Sequence, residues 1–254
     1  KTLKPEFRKD PIENLRLLRE ARISAMLQHP NTMPTYEVGR DNHGHYFFTM
    51  KLVHGYTLRE LLNYRERYDF SQLINVILQV GNALGYAHSV GVLHRDIKPD
   101  NILIGPYGEV LLLDWGLAKV WHSDDAAASK QTCVPDLDVG VSMTSAGKLQ
   151  GSVIYMSPEQ IDRKADIDFR SDIYSLGAVM YEALTGQTPF SGTLVRKILE
   201  DVRHKVPGVP SHFGSLPVPK VLSDLTMSCL SKDPHERPSS AEEVVRIIQH
   251  NWTP

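Results

Sequence analysis

The sequence predicts an α+β protein in two parts, a strand-bearing N-terminal portion followed by a larger, mainly helical remainder. Three observations carry this. Residues 12–27 place apolar side chains at 12, 15, 18, 23, 26 and 27, which is helical spacing opposite a charged face. Residues 46–53, Tyr-Phe-Phe-Thr-Met-Lys-Leu-Val, read as a strand between turn formers. From residue 71 onward, four periodic apolar segments read as helices.

In chain order, His29-Pro30-Asn31 ends the first helix. Residues 71–90 form a strong helix with Leu73, Ile77, Val80, Leu84 and Ala87 on one stripe. Ile102–Ile104 and Val110–Leu113 read as short strands around the turn between Gly105 and Gly108. Residues 173–184 are almost wholly apolar, so this helix is expected to be buried. Residues 224–230 and 241–250 are the last two helices. Residues 205–219 hold four prolines and two glycines and read as a loop. Residues 121–150 have few large apolar side chains and no period, so they read as a surface loop. No internal repeat is visible.

The bulk numbers set bounds. A chain of 254 residues can bury a substantial core as one large domain or two lobes. Apolar residues make up 41% and charged residues 23%, ordinary for a globular protein. A net charge of −2 gives no sign of nucleic-acid or membrane attraction. Cys133 and Cys229 are too far apart to suggest a disulfide framework, which points to a reduced, cytoplasmic setting. No apolar run approaches the ~20 residues that span a bilayer, and no signal peptide is visible. The first residue is Lys, so further sequence is expected before it, and a membrane anchor outside the chain stays open.

The chemistry concentrates in HRDIKPDN, residues 94–101. It packs a carboxylate (Asp96), a cation (Lys98) and a carboxamide (Asn101) into six residues. Phosphoryl transfer uses these groups together: a base for a hydroxyl proton, a cation for the moving phosphoryl and an oxygen ligand for Mg²⁺. Asp114 ends the apolar run Val-Leu-Leu-Leu 18 positions after Asp96 and adds a second carboxylate.

On these motifs the chain resembles the protein kinase superfamily, and most closely the bacterial, eukaryotic-like Ser/Thr kinases. Further markers are Asp114-Trp115-Gly116, Ser157-Pro158-Glu159, the stretch from Asp172 to Gly177, and Arg237. The resemblance runs from Lys1 to about Trp252 and implies a two-lobe fold. Residues 1–50 would be the remainder of the N-lobe, 51–53 the hinge, and 54–254 the C-lobe with an activation segment at 114–159. The implied activity is transfer of the ATP γ-phosphoryl group to Ser/Thr hydroxyls on proteins.

The resemblance also implies roles. Asp96 would accept the hydroxyl proton, and Lys98 would neutralise the phosphoryl; a Lys here points to Ser/Thr rather than Tyr substrates. Asn101 and Asp114 would hold two Mg²⁺ ions. Lys1, held by Glu20 at a separation of 19 positions, would grip the ATP phosphates, with Lys4 as the rival. Met50 would be the gatekeeper, the Lys51 carbonyl and Val53 amide would meet adenine, and Leu103 would pack beneath it. Glu159 and Arg237 would form a buried ion pair, and Asp172 would bond the backbone near His94. Arg95 would receive a phosphate from the activation segment. Thr144, seven residues before Gly151, is the candidate acceptor, with Ser142, Ser145 and Thr132 as rivals.

Three departures qualify the resemblance. The Gly-rich loop and its two strands would lie before Lys1, so an incomplete N-lobe and low turnover are expected of the chain as it stands. Trp115 replaces the usual Phe. Ser24 falls where an apolar residue usually links the Glu20 helix to that aromatic plug, so the helix is expected to dock weakly. The alternative function is a pseudokinase-type or truncated interaction module. A small-molecule phosphotransferase is disfavoured, because Gly151-Ser152 and Ser157-Pro158-Glu159 resemble a peptide-docking segment. The expected partners are ATP and proteins bearing Ser/Thr; substrate, upstream signal and oligomeric state stay open.

Overall fold

The computed structural model describes residues 1–64, 69–120, 151–164 and 167–252. The chain starts extended. Lys1 N donates to Phe48 O at 2.6 Å, Phe48 N donates to Lys1 O at 3.0 Å, and Thr2 bridges Phe47. Helix α1 (Pro11–Met26) follows, started by Asp10, whose carboxylate caps Ile12 N (2.8 Å) and Glu13 N (3.4 Å). Pro11 supplies a preset φ at the first helical position. Strands β1 (Thr35–Arg40) and β2 (Tyr46–Met50) pair antiparallel, so Thr2, β2 and β1 lie side by side.

Next come β3 (Tyr56–Thr57), α2 (Leu58–Asn63) and α3 (Phe70–Ser89). Asp69 and Gln72 start α3 with reciprocal side-chain caps. Strand β4 (Val92–Leu93) pairs with β7 (Lys119–Val120), and β5 (Ile102–Ile104) lies between β3 and β6 (Val110–Leu112), all antiparallel. The remainder is helical: α4 (Pro158–Ile161), α5 (Arg170–Thr185), α6 (Val195–His204), the small hairpin β8 (His212–Phe213) and β9 (Leu216–Pro217), α7 (Lys220–Cys229) and α8 (Ala241–Asn251).

Among the described residues, two apolar cores result. Leu17, Ala21 and Phe48 form a small one between α1 and β2. The large one is built on α3 and α5, and it also takes Ile23 and Leu27 from the far end of α1. Helix α1 therefore belongs to both cores and ties the strand layer to the helical body. The five predicted stripe residues of α3 are all buried, as is nearly all of α5.

The differences have physical reasons. The predicted strand over 46–53 stops at Met50. Its partner β1 begins at Thr35, one further bond joins Lys51 N to Pro34 O (3.2 Å), and Leu52 is 82% exposed. Strand β1 was not predicted, because both of its faces are largely exposed and it carries no alternating apolar signal. Helix α2 has only six residues, too few for a period to register. Helix α6 carries a short period of its own, burying Ile198 and Val202. The loop predicted over 205–219 contains the β8–β9 hairpin, turned at Gly214 with φ of +59°.

Candidate active site

The segment between β4 and β5 holds HRDIKPDN. Its backbone is fixed from below by Asp172, which is 1% exposed on the first turn of α5. Asp172 Oδ2 accepts from His94 N (2.8 Å), and Oδ1 accepts from Arg95 N (2.8 Å). His88 Nε2, at the end of α3, lies 2.9 Å from the same carboxylate. Burial alone would push the Asp172 carboxyl up, but the hydrogen bond and charge of His88 and the Arg95 backbone bond hold it below the usual range. Arg95 sits at φ of +68°, a left-handed backbone costing about 1–2 kcal/mol for an ordinary residue. The two Asp172 bonds and the bond from Gln160 Nε2 to Arg95 O (2.9 Å) hold it there.

His94 is fully buried and joins the loop to the next segment. Leu113 O can only accept, at 3.0 Å from Nε2, and Asp96 N donates to Nδ1 at 3.2 Å. The ring proton therefore sits on Nε2. The ring lies against Trp115, with centroids 4.5 Å apart. Trp115 is 1% exposed and fills the aromatic position as expected.

Above this base the catalytic candidates converge. Asp96 accepts from Lys98 Nζ (2.9 and 2.6 Å) and from Asn101 Nδ2 (2.9 Å). Asn101 Nδ2 also donates to Asp96 O at 2.8 Å, which leaves its carbonyl oxygen for a cation. Lys98 Nζ reaches Ser152 Oγ at 3.2 Å, joining the catalytic loop to the segment before α4. Leu113 N donates to Asn101 O (2.8 Å), which sets Asp114 beside this cluster. Asp114 is exposed, with φ of +62°, and its Oδ1 accepts from Gly116 N at 3.3 Å.

Lys1 Nζ lies 2.6 and 2.7 Å from the two Glu20 oxygens. Lys4 has no such pair among the described residues, so Lys1 is the residue brought to Glu20. Burial raises the Glu20 carboxyl, and the charge and hydrogen bond of Lys1 draw it only partly back. Gly116 sits where a Cβ would come within 3.1 Å of Asp114 Oδ1, so a side chain there would crowd that carboxylate, while Glu20 Oε2 at 3.8 Å would be in ordinary contact. Ser24 is buried, and α1 is docked with the Lys1–Glu20 pair closed. The weak docking expected from Ser24 is not what the structure has. Trp115, Ile23 and Leu27 in one core supply the contact.

Arg237 Nη1 and Nη2 donate to Glu159 at 2.6 and 3.0 Å, both side chains being buried. Leu103 is half-buried in β5 beside Thr57 and Leu111. Met50 is 39% exposed at the end of β2. Thr144, Ser142, Ser145, Thr132 and Cys133 lie outside the described residues. One network escaped the sequence reading. Arg59 on α2, Tyr155 and Glu182 on α5 bond mutually, with Asp100 3.5 Å from Arg59. Arg59 and Glu182 are 123 positions apart, and no periodicity links them.

The site fits a nucleotide with a divalent cation. The Lys51 carbonyl and Val53 amide make no hydrogen bond among the described residues, leaving one acceptor and one donor for an adenine edge. Asn101 and Asp114 offer two oxygens. Mg²⁺ accepts such a partial protein set, because phosphates and water complete its shell.

The chain matches the protein kinase domain family model over residues 1–253 and belongs to that family. It is a protein kinase domain of the bacterial, eukaryotic-like Ser/Thr type. It is 36% identical to the serine/threonine-protein kinase PknD of Protochlamydia amoebophila, over 98% of this chain and 27% of that protein. It is 31% identical to PknD of Chlamydia felis, over 100% of this chain and 29% of that protein. It is 32% identical to the serine/threonine-protein kinase pkn3 of Myxococcus xanthus, over 92% and 41% respectively. The chain thus spans less than half the length of these relatives. The family uses ATP and a divalent metal. No helix among the described residues is long and apolar enough to cross a membrane.

Proposed function

We propose that this domain transfers the γ-phosphoryl group of ATP to Ser/Thr hydroxyls of proteins. One observation carries the reading: Asp96 is held between Lys98 and Asn101, beside Asp114, with the Lys1–Glu20 pair closed. Nothing in this arrangement favours the pseudokinase alternative. In the reaction, the substrate O–H bond breaks, its proton passes to the Asp96 carboxylate, and the hydroxyl oxygen bonds to phosphorus as the bond to ADP breaks. Asn101 and Lys98 aim the carboxylate, and Lys98 is also placed to neutralise the moving group. Lys1, oriented by Glu20, holds the phosphates. Lys51 and Val53 meet adenine over Leu103. Asn101 and Asp114 hold Mg²⁺, which neutralises phosphate charge when bound.

The same reading divides the chain into an N-lobe portion at 1–50, a hinge at 51–53 and a C-lobe at 54–254. It places Arg95 as the receptor for a phosphate on Thr144, in a cytoplasmic setting.

The test is labelling of myelin basic protein by the protein carrying this domain, with Mg²⁺ and γ-labelled ATP. Phosphoserine and phosphothreonine are expected, and Asp96→Asn is expected to lower kcat by about 10²–10⁴. Label on tyrosine alone, or an Asp96→Asn variant of full activity, would refute the assignment.

A further inference from the structure

Four segments distant in sequence meet at one guanidinium. Arg59 stands on the first turn of α2, which Leu58 and Leu62 anchor in the large core. Its Nη1 donates to Glu182 Oε1 on α5 at 2.5 Å. Its Nη2 donates to Glu182 Oε2 at 3.3 Å and to the Tyr155 hydroxyl. That hydroxyl in turn donates to Glu182 Oε2 at 2.5 Å. Arg59 Nε also lies 3.5 Å from Asp100 Oδ2, next to Asn101.

Arg59, Tyr155 and Glu182 thus form a closed triangle in which the phenol and both carboxylate oxygens are satisfied. Tyr155 and Glu182 are 3% and 5% exposed, so water does not compete for these bonds. Burial and the Glu182 charge push the Tyr155 phenol far above its usual range, which keeps it a neutral donor. A buried ion pair adds little net stability over apolar packing of the same volume. Stability alone therefore does not account for three polar groups at this place. What a planar fork adds is fixed geometry.

That geometry is passed on toward Asp96. The Tyr155 carbonyl accepts from Ser175 Oγ on α5 at 2.7 Å, and the Tyr155 N–H donates to Ser152 O at 3.2 Å. Ser152 Oγ lies 3.2 Å from Lys98 Nζ, and Lys98 holds the Asp96 carboxylate. A hydroxyl that gives its proton to Asp96 therefore comes in beside the turn at 152–155. Among the described residues, no hydrogen bond or ion pair joins Arg59, Tyr155 or Glu182 directly to Asp96, Lys98 or Asp114. Their route to the reaction is this turn.

We propose that Arg59 is a positioning residue for the protein substrate: by clamping Tyr155 to Glu182 it fixes the turn at 152–155, against which the phosphoacceptor segment lies. The inference rests on the phosphotransfer reading above. Charge and shape of Arg59 have separate duties. The charge keeps Glu182 from lying buried and unpaired. The fork holds the carboxylate and the phenol at once, which the point charge of a lysine does not reproduce. The clamp makes no hydrogen bond to Lys1, Glu20, Lys51 or Val53, so nucleotide binding is independent of it.

The test is steady-state phosphorylation of myelin basic protein, with KM measured separately for that protein and for ATP, and Tm alongside. Arg59→Ala and Tyr155→Phe are expected to raise KM for the protein about fivefold or more, while KM for ATP moves less than about twofold. Arg59→Lys should recover the Tm lost in Arg59→Ala but not the KM. Arg59→Lys combined with Tyr155→Phe should be little worse than either alone, because both break one clamp. A merely structural role would lower the folded fraction, and with it the apparent kcat, and move neither KM. Tyr155→Phe removes one hydroxyl and keeps the ion pair, so it decides the matter if Arg59→Ala folds poorly. Unchanged KM for the protein in Tyr155→Phe, full recovery of that KM in Arg59→Lys, or an equal rise in both KM values would overturn the proposal and leave phosphotransfer by the wild type standing. A wild type that labels neither Ser nor Thr would overturn the phosphotransfer reading, and the proposal with it.

Discussion

Replacing Arg237 with alanine removes the cation that a buried carboxylate depends on. Arg237 and Glu159 have side chains 0% and 7% exposed. Arg237 also donates to Ser231 O (2.9 Å) and Arg170 O (2.8 Å). Once Arg237 is gone, Glu159 keeps Ser171 Oγ at 2.6 Å as its side-chain donor, and three carbonyls, those of Ser231, Arg170 and Lys232, lose the Arg237 donor. Breaking one side of a buried pair costs about 3–5 kcal/mol, because a charge is left desolvated. In a domain of this size each kcal/mol shifts Tm by about 2–4 °C. The pH dependence is the sharper part. Burial alone would raise the Glu159 carboxyl, but in the native protein the Arg237 bonds and charge, with Ser171, hold it below the usual range. A depressed carboxyl contributes stability above its unfolded value, near 4.3, and loses it as pH falls through the folded value. In Arg237→Ala burial is opposed only by the Ser171 bond and the backbone, and the shift is expected to reverse. The penalty is then full at neutral pH and shrinks as the pH falls toward 5 and Glu159 takes up a proton. Urea unfolding at pH 7.5 and 5, with the m-value checked for constancy, measures both. A loss below about 1 kcal/mol at pH 7.5, or a gap that widens in acid, would refute the reasoning.

Asp114→Asn is expected to weaken Mg²⁺-dependent ATP binding, whereas Asp96→Asn leaves it nearly intact; titration calorimetry with and without Mg²⁺ separates them. Lys1→Met should weaken ATP binding and lower kcat, and Lys4→Met should do neither, because Lys1 is the residue held by Glu20. Thr144→Ala should lower activity, with mass spectrometry of the active protein finding phosphate at Thr144. Phosphate only outside residues 142–145 would remove that site. Added charge of about −1.5 to −2 beside Arg95 is the basis of the expectation.

The long elements were legible because burial imposes a period. Helix α3 shows its stripe at Leu73, Ile77, Val80, Leu84 and Ala87, and each of these is buried. Strand β1 was not legible for the converse reason: a strand exposed on both faces leaves no alternation to read. The hinge was read as strand because Lys-Leu-Val has strand composition. What ends β2 is the lack of a neighbour beyond Pro34, which local sequence does not encode.

The candidate site divides along the same line. Asp96, Lys98 and Asn101 stand within six residues, and the chemistry of that spacing is visible before any fold is known. Their geometry depends on residues far away. Asp172, 76 positions beyond Asp96, holds the left-handed backbone of Arg95, and it was placed there only through the family resemblance. His88, the other partner of that carboxylate, had no such aid: one histidine near the end of a helix carries no signal of what it faces. The same holds for Ser24. Read from its position alone, a polar side chain there weakens the docking of α1. In the folded chain the docking rests on Ile23, Leu27 and Trp115, whose indole is buried beside His94. A helix is held by the sum of its buried face, so one polar position within it does not decide the outcome when its neighbours are packed.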